Sequence, residues 1–428
     1  MIKSLSLQKK CIIVLCVALV CAYMYAFNPE RPMTLKIGFY TDSPWNVPYA
    51  EPYKVIDHVI DLFEEKYPYV TVTYESGIAK SEYSNWLSNQ IVQAKQPDLF
   101  LVPDDDFNLL ASTKVLEDLT TRIADDHLDT GNFFECAYQV GKHYDKQYAL
   151  PYECNPTLMC VNRDLLHKHH IKMPEGNWTT AEFYDKCEKV TNVDAGIFGT
   201  TGYTWHYSAQ ADGIRLFNDN GTECYFNTSE TRKAMSFILN LYKLQGQSIV
   251  TKDDFDSGNV AFVPMTLAEY RTYLPYPYRV AKYSTFNWTC IELPHNNTDY
   301  QTPVKTSLFA MSSHSHHKDL AWEFLKMLTT DADVQKELMM TSSGVSVLKS
   351  VVASEDSQFI IESDEMSENA LSRDTLLSIM NHGTTLPQFK EYDDAMIYAD
   401  YMVGESIRRR TIDEDLPDIQ KRMENYLK

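Results

Sequence analysis

Short apolar strands alternate with amphipathic helices in the first third of the chain, and this alternation constrains the fold more than any other feature. Strands are predicted at residues 35–40, 70–74 and 97–102. The apolar stripe that includes Val55 and Val59 predicts a helix between the first two strands, and a second helix follows around Leu87. Unbroken apolar strands separated by helices are typical of a parallel sheet covered on both faces. The sequence therefore predicts an α/β lobe.

A second series of strands and helices begins after residues 148–151, and we interpret the chain near 149–153, which leads to Asn155, as the crossover between two lobes. Strands are predicted at 158–161 and 260–263, and a helix starts at Thr179, because Glu182 three residues later completes a capping-box spacing. The chain has 428 residues, and single cores stop growing near about 250–300 residues. Two lobes are therefore expected.

The predicted strand at 306–311 returns the chain to the first lobe, and the last seventy or so residues are expected to be helical. The domain prediction is an export signal or membrane anchor at 1–34, lobe 1 at 35–150 and 302–340, and lobe 2 at 151–301 and 341–428.

The N-terminus has the pattern of an export signal. Three lysines precede a 17-residue uncharged apolar run at 11–27. Such a run indicates a secretory signal or a signal-anchor, with a buried core helix as the alternative. Cys21 is a candidate lipidation site but follows Val20, and an Ala-x-Ala cleavage site is absent. We expect the chain to be extracytoplasmic, tethered to the outer face of the membrane by lipid or by an uncleaved helix.

Charge and cysteine content narrow the partners and the chemistry. The net charge is −20, and this negative field argues against a nucleic-acid partner. Six cysteines follow the N-terminal run: Cys136, Cys154, Cys160, Cys187, Cys224 and Cys290. Their even number permits disulfides in an exported protein, whereas the chain length and the usual burial of cysteine favour free thiols.

Three stretches resemble one protein family. They are YALPYECNPTLM at 148–159 with NRD at 162–164, WTTAEF at 178–183, and AWEFLK at 321–326 with SGVS at 343–346. In this order they resemble the extracellular solute-binding proteins of ABC importers, of the maltodextrin-binding type. The resemblance implies a periplasmic-binding-protein-like α/β fold in which hinge strands join two lobes and a solute binds in the cleft between them. It further implies a monomer that delivers its ligand to an ABC permease.

No catalytic signature or cofactor motif is found. Nucleotide-binding glycine loops, HExxH and GxSxG are absent. Histidines cluster at 167–170 and 314–317, and we interpret them as solvated surface, with metal binding as the alternative. The acidic run at 104–106 has too few oxygens for an EF-hand-like calcium loop, so no metal or cofactor is predicted.

The candidate ligand-binding residues come from loops after strands and from the crossover. Ligands of open α/β lobes bind outside the carboxyl ends of strands, and sugar recognition combines flat aromatic faces with carboxylates or amides. The candidates are Asp42, Trp45, Asp104, Asp105, Tyr152, Glu153, Asn155, Trp205, Glu269, Tyr270 and Arg271. Each of them has a packing role as its alternative.

Three functions remain open from the sequence. The first is a receptor that captures an oligosaccharide for a permease. The second is a secreted glycoside hydrolase that uses two of the candidate carboxylates. The third is a receptor for a different polar solute, because one architecture serves several ligand classes. The missing catalytic signatures and the repeated α/β pattern favour the first.

Overall fold

The computed structural model describes residues 31–48, 51, 53–103, 105–273, 286–296, 302–357, 371–384, 387 and 389–428. Its strands are β1 (Met33–Gly38), β2 (Val70–Tyr74), β3 (Leu99–Leu101), β4 (Lys142–His143), β5 (Lys146–Gln147), β6 (Ala149–Asn162), β7 (Phe198–Thr200), β8 (Val260–Thr266), β9 (Trp288–Ile291) and β10 (Val304–Met311). Most of the predicted export segment, residues 1–30, and the candidate Asp104 lie outside the described residues.

Helices fill most of the remaining sequence. They are α1 (Lys54–Lys66), α2 (Lys80–Val92), α3 (Phe107–Ser112), α4 (Thr120–Asp125), α5 (Glu135–Val140), α6 (Arg163–Lys168), α7 (Thr180–Val190), α8 (Trp205–Ala211), α9 (Ser229–Leu244), α10 (Lys252–Asp256), α11 (Leu267–Arg271), α12 (Lys318–Thr330), α13 (Ala332–Thr341), α14 (Lys349–Val352), α15 (Arg373–Asn381), α16 (Tyr392–Arg409) and α17 (Ile412–Tyr426). Within the described ranges, no helix combines the length and apolar character needed to span a membrane.

The main sheet has the strand order β2-β1-β3-β10-β6-β8-β7, and β9 also pairs with β6. Strand β1 is parallel to β2 and β3, and β7 is parallel to β8. Strands β10 and β6 run antiparallel to their neighbours and join these two parallel blocks. The mixed α/β fold predicted from the sequence is confirmed.

Strand β6 connects the two blocks. Its 14 residues are all buried; the first half pairs with β10 and the second half with β8. The strand predicted at 158–161 lies within β6, which begins earlier than predicted, at Ala149, and so also contains residues of the predicted crossover. The β10 pairing shifts register between Ser307 and Leu308, opposite Glu153 and Pro151. Proline lacks the N–H that a regular ladder requires, so an irregularity at this point is expected.

The described residues contain three clusters of buried apolar side chains. One covers β1, β2 and β3 with α1, α2 and α12, and another joins α6, α7 and α9 to the C-terminal helices α16 and α17. The third lies along β6, β8 and β9 and includes Phe133 and Phe134. Phe133 and Phe134 fall within the range predicted for lobe 1, 35–150, but they pack outside the cluster that contains β1. The predicted boundary at residue 150 stays a prediction.

Local sequence signals explain several of the element boundaries. Helix α7 starts after Thr179, whose hydroxyl accepts from the Glu182 amide at 3.2 Å, and the Glu182 carboxylate accepts from the Thr179 amide at 2.7 Å. The predicted capping box is confirmed. Val55, Val59 and Phe63 of the predicted stripe face the core of lobe 1. The six cysteines named above are all buried as free thiols.

Candidate functional site

Two lobe 1 loops carry acidic side chains at the same edge of the sheet, because β1 and β3 are adjacent parallel strands. Asp42 is exposed, and its carboxylate accepts from the Lys80 amide at 2.7 Å at the start of α2. Trp45 is half-buried in the same loop. Asp105 is exposed in the loop after β3, and its neighbour Asp106 accepts from the Ser84 hydroxyl at 2.6 Å.

Glu153 on β6 lies where the two lobes join. It is only 1% exposed, and its carboxylate accepts from the Gly344 amide at 2.6 Å and from the Ser342 hydroxyl. Burial raises the pKa of Glu153, while the hydrogen bonds from Ser342 and Gly344, the nearby Trp45 indole and the Arg271 charge oppose that rise. The buried indole N–H of Trp45 approaches this carboxylate without the geometry of a hydrogen bond.

Arg271 at the end of α11 holds the chain segment that carries Ser342 and Gly344. The residue is 1% exposed, and its guanidinium donates to the carbonyl oxygens of Met339 at 3.1 Å, Ser342 at 2.9 Å and Gly344. A side chain at Gly344 would meet Glu153, because an added Cβ would lie 2.2 Å from the carboxylate oxygen. Glu153, Arg271 and this segment, which we name the return segment (residues 339–344), form one buried polar network.

Asn155 and Tyr152 are also structural neighbours of this junction. The Asn155 side-chain oxygen accepts from the Ala268 amide at 3.0 Å, which fastens α11 to β6. The ring of Tyr152 meets Phe309 edge-on at 5.2 Å between centroids. A cavity of about 30 Å³ beside them brings three sequence-predicted residues together, because Asp42, Tyr152 and Glu153 all line it.

The lobe 2 candidates are more buried than the lobe 1 candidates. Trp205 begins α8 at 5% exposure, and its indole N–H donates to Asp400 at 2.9 Å. His206 stacks on Trp205 and also contacts Asp400, with 2.6 Å between Nε2 and Oδ1. The ring of Tyr270 packs edge-on against Trp288 at 5.7 Å. Stacking of Trp205 on a sugar stays a prediction, and in this structure α16 contacts its polar edge.

Glu269 caps α11 and forms an ion pair. Its carboxylate accepts from the Thr266 amide at 2.8 Å and pairs with Lys252. Burial by itself would raise the pKa of Glu269, but the Lys252 ammonium and the Thr266 hydrogen bonds outweigh burial and lower it. Glu269 is therefore a charged acceptor at the start of α11.

Sequence reasoning missed a larger cavity on lobe 2, with a volume of about 360 Å³. We name it the α8–α16 cavity. Its lining residues are His206, Ala209, Gln210, Ile214, Arg215, Leu216, Phe217, Thr384, Pro387, Tyr392 and Met396. It offers aromatic surface beside hydrogen-bond donors, the combination that polar ligands with apolar faces require. No local signal predicts it, because its walls come from distant parts of the chain.

An acidic side chain at the start of α16 lies close to the acidic loop after β3. Asp393 lies in the first turn of α16, beside the cavity residue Tyr392. Burial, together with the lobe 1 carboxylates Asp105 and Asp106 and the adjacent Asp394, raises the pKa of Asp393 to about 6. The loop after β3 and the start of α16 are therefore near neighbours. Among the described residues, no three His, Cys, Asp or Glu side chains converge in a way that could hold a metal ion.

Two α/β blocks joined by β10 and β6 form the two-lobed fold of periplasmic solute-binding proteins. A family model described as bacterial extracellular solute-binding protein matches residues 46–335. The chain belongs to this family, and the family resemblance found in the sequence is confirmed.

The similar proteins have low sequence identity to this chain, but the similarity covers most of its length. A maltotriose-binding protein from Pyrococcus abyssi is 22% identical over 335 residues, which is 72% of this chain and 66%, just under two thirds, of that protein. The cyclic alpha-maltosyl-1,6-maltose binding protein from Arthrobacter globiformis has a TM-score of 0.75 at 16% identity, covering 92% of this chain and 99% of that chain. The sugar-binding protein MalE from Xanthomonas citri has a TM-score of 0.74 at 17% identity, covering 92% and 97%.

Proposed function

We propose that the protein captures an oligosaccharide between its lobes and delivers it to an ABC permease. The observation that carries the proposal is the proximity of the acidic loop after β3 to the start of α16, where Tyr392 and Met396 line the α8–α16 cavity. The named sugar ligands of several relatives support it. A sugar offers hydroxyl groups to the first surface and C–H faces to the second.

Asp42, Asp105 and Trp45 are the proposed lobe 1 contacts. The two exposed carboxylates accept hydroxyl hydrogen bonds, and the half-buried indole face packs on a pyranose ring. Asp104, which precedes Asp105, belongs to the same proposal. On lobe 2, Tyr392 supplies a second aromatic surface and Arg215 a donor. A ligand that touches both sides is therefore recognised by lobes that are far apart in sequence.

The remaining sequence candidates receive a supporting role in this proposal. Glu153 and Arg271 set the path of the return segment, and Asn155 fixes α11, whose residues Glu269 and Tyr270 extend the same junction. Tyr152 lines the small cavity beside Asp42, and Trp205 supports the wall that includes His206. These residues position the contacts, because most of their polar atoms are already engaged by protein.

Closure follows from differential affinity. A sugar that contacts both lobes binds the closed arrangement more tightly than the open one, so it shifts the population toward closure by a hinge motion. The closed monomer is the form that the permease recognises. The N-terminal segment tethers the protein at the outer face of the membrane, by lipid or as an uncleaved helix, and thereby keeps it close to the permease.

The function is tested by calorimetric titration of the purified protein with a panel of maltodextrins, cyclic glucans and other oligosaccharides. We expect at least one sugar to bind, to raise the melting temperature and to be recovered unchanged. Release of shorter sugars would show that the protein is a glycoside hydrolase and not a receptor. Binding of only non-sugar polar solutes would overturn the ligand class.

The proposed ligand contacts are tested by comparing the sugar affinity of Trp45→Ala with that of the control variant Trp86→Ala. Both tryptophans are partly buried in lobe 1, but the Trp86 indole N–H donates to Glu75 at 3.1 Å, and Trp86 is not a proposed ligand contact. Loss of the Trp45 ring is expected to weaken binding by about 1–3 kcal/mol, or roughly 5- to 150-fold. Equal affinities of both folded variants would refute the stacking role.

A further inference from the structure

Cys160 and Cys290 lie directly opposite each other on neighbouring strands. Strands β6 and β9 are antiparallel, and their register pairs these two residues. The Sγ atoms are 3.5 Å apart, and the residues are 0% and 3% exposed. The two thiols therefore face each other inside the sheet, with no room for solvent between them.

Three other buried cysteines have polar neighbours of a different kind. The Cys136 thiol donates to a backbone carbonyl at 3.4 Å, the Cys154 sulfur contacts a threonine hydroxyl at 3.5 Å, and the Cys224 sulfur accepts from a glutamine amide at 3.5 Å. In contrast, the sulfur of Cys160 has the sulfur of Cys290 as its neighbour. Sulfur-to-sulfur contact distinguishes this pair from the other three.

The strand geometry is compatible with a covalent bond. Directly opposed residues of an antiparallel pair have Cα atoms about 4.5–5.5 Å apart, which falls within the span of roughly 4.4–6.8 Å seen for disulfides. The chain also belongs to an extracellular family, and disulfides persist in compartments outside the cell membrane. Register, sulfur contact and compartment therefore agree.

We propose that Cys160 and Cys290 form a disulfide in the exported protein. The oxidant is an external disulfide, either of a protein or of a small thiol compound. One cysteine thiolate attacks it and expels one thiolate, and the second cysteine then attacks the mixed disulfide and expels the other. The products are one Cys160–Cys290 disulfide and two external thiols, which take up the two protons that the cysteines lose.

The bond forms before β9 is fully paired with β6. Burial raises the pKa of the Cys290 thiol in the folded chain, and the adjacent Cys160 raises it further. Thiolate is the reactive species, so the folded pair reacts slowly with external disulfides. Once formed, the bond is protected from external thiols by the same burial.

The expected consequence is a more stable lobe 2. The cysteines are 130 positions apart, and cross-links that close long loops restrict the unfolded chain most. The oxidised protein is expected to melt roughly 5–10 °C higher than the reduced protein. The bond also fixes β9 to the part of β6 that runs into lobe 2.

The test uses the full-length chain, exported by a bacterial host and purified without reductant. The protein is unfolded in the presence of an excess of a maleimide, and its intact mass is compared with that of a sample reduced before labelling. We expect the reduced sample to carry two more labels. Peptide mapping without reductant is expected to find the segments that contain Cys160 and Cys290 linked.

Three controls make the result specific. The variant Cys160→Ser/Cys290→Ser is expected to lose the two-label difference, whereas Cys136→Ser is expected to keep it. Protein refolded with a mixture of oxidised and reduced glutathione supplies a second sample that does not depend on the host. Equal label counts before and after reduction in both samples, or a linkage between other cysteines, would overturn the proposal.

Discussion

Replacing Arg271 with methionine removes the central donor of the buried junction. In the structure the guanidinium donates to the carbonyl oxygens of Met339, Ser342 and Gly344 and lies near the buried Glu153 carboxylate. Methionine fills much of the same volume but donates no hydrogen bond. The variant therefore leaves the buried Glu153 carboxylate without a nearby positive charge and removes a hydrogen-bond donor from three carbonyl oxygens.

The expected loss is large because every partner is buried. Removing one side of a buried charged network typically costs about 3–5 kcal/mol, so the melting temperature should fall on the order of 5–15 °C. Arg422→Met is the matched control, since Arg422 pairs with Asp418 at 2.7 Å on the surface with more than half of each side chain exposed. Its melting temperature is expected to change little.

A double-mutant cycle with Glu153→Gln isolates the charge. If the unpaired charge of Glu153 causes the loss, the double variant loses less free energy of unfolding than the sum of the two single losses, by about 1–3 kcal/mol. Without Arg271 the pKa of Glu153 rises further above its unfolded value. A raised folded-state pKa makes stability fall as pH rises through the interval between the two values, so the deficit of Arg271→Met should shrink at acidic pH.

The assay is urea and thermal unfolding followed by circular dichroism, at acidic and neutral pH. A loss for Arg271→Met no larger than that of the surface control would refute the reasoning, as would strict additivity with Glu153→Gln.

Three further predictions follow from single features. The folded-state pKa of Asp393 is raised to about 6, so the protonated side chain favours the folded state and this stabilisation is lost as pH rises through that value. Asp393→Asn should therefore raise the melting temperature at about pH 8 and change it little at about pH 4. An effect that does not depend on pH would contradict this. Gly344→Ala should cost roughly 1–3 kcal/mol in urea unfolding, because its Cβ would lie 2.2 Å from Glu153, and an unchanged midpoint would disprove the clash. Protease added to intact cells should degrade the chain from Leu35 onward, and complete protection would contradict export.

Much of the fold was predictable because its signals are local. The stripe of α1, the capping box at Thr179 and the apolar strands β1 and β3 depend on residues a few positions apart, whose spacing matches a helix turn or a buried strand. The family motifs are likewise continuous stretches. The sequence by itself therefore determined the α/β class, the family and the loops in which polar residues follow strands.

Which candidate residue is exposed in a loop and which one is buried at the junction depended on the tertiary structure. Asp42 and Glu153 have similar chemistry, yet Asp42 is exposed in a loop while Glu153 contacts Ser342, 189 positions away in the chain. Arg271 likewise meets carbonyl groups 68 to 73 positions away, and the α8–α16 cavity has walls from two distant segments. Burial and charge pairing are sums over neighbours in space, so no pattern along the chain fixes them until β6, β10 and the return segment are brought together.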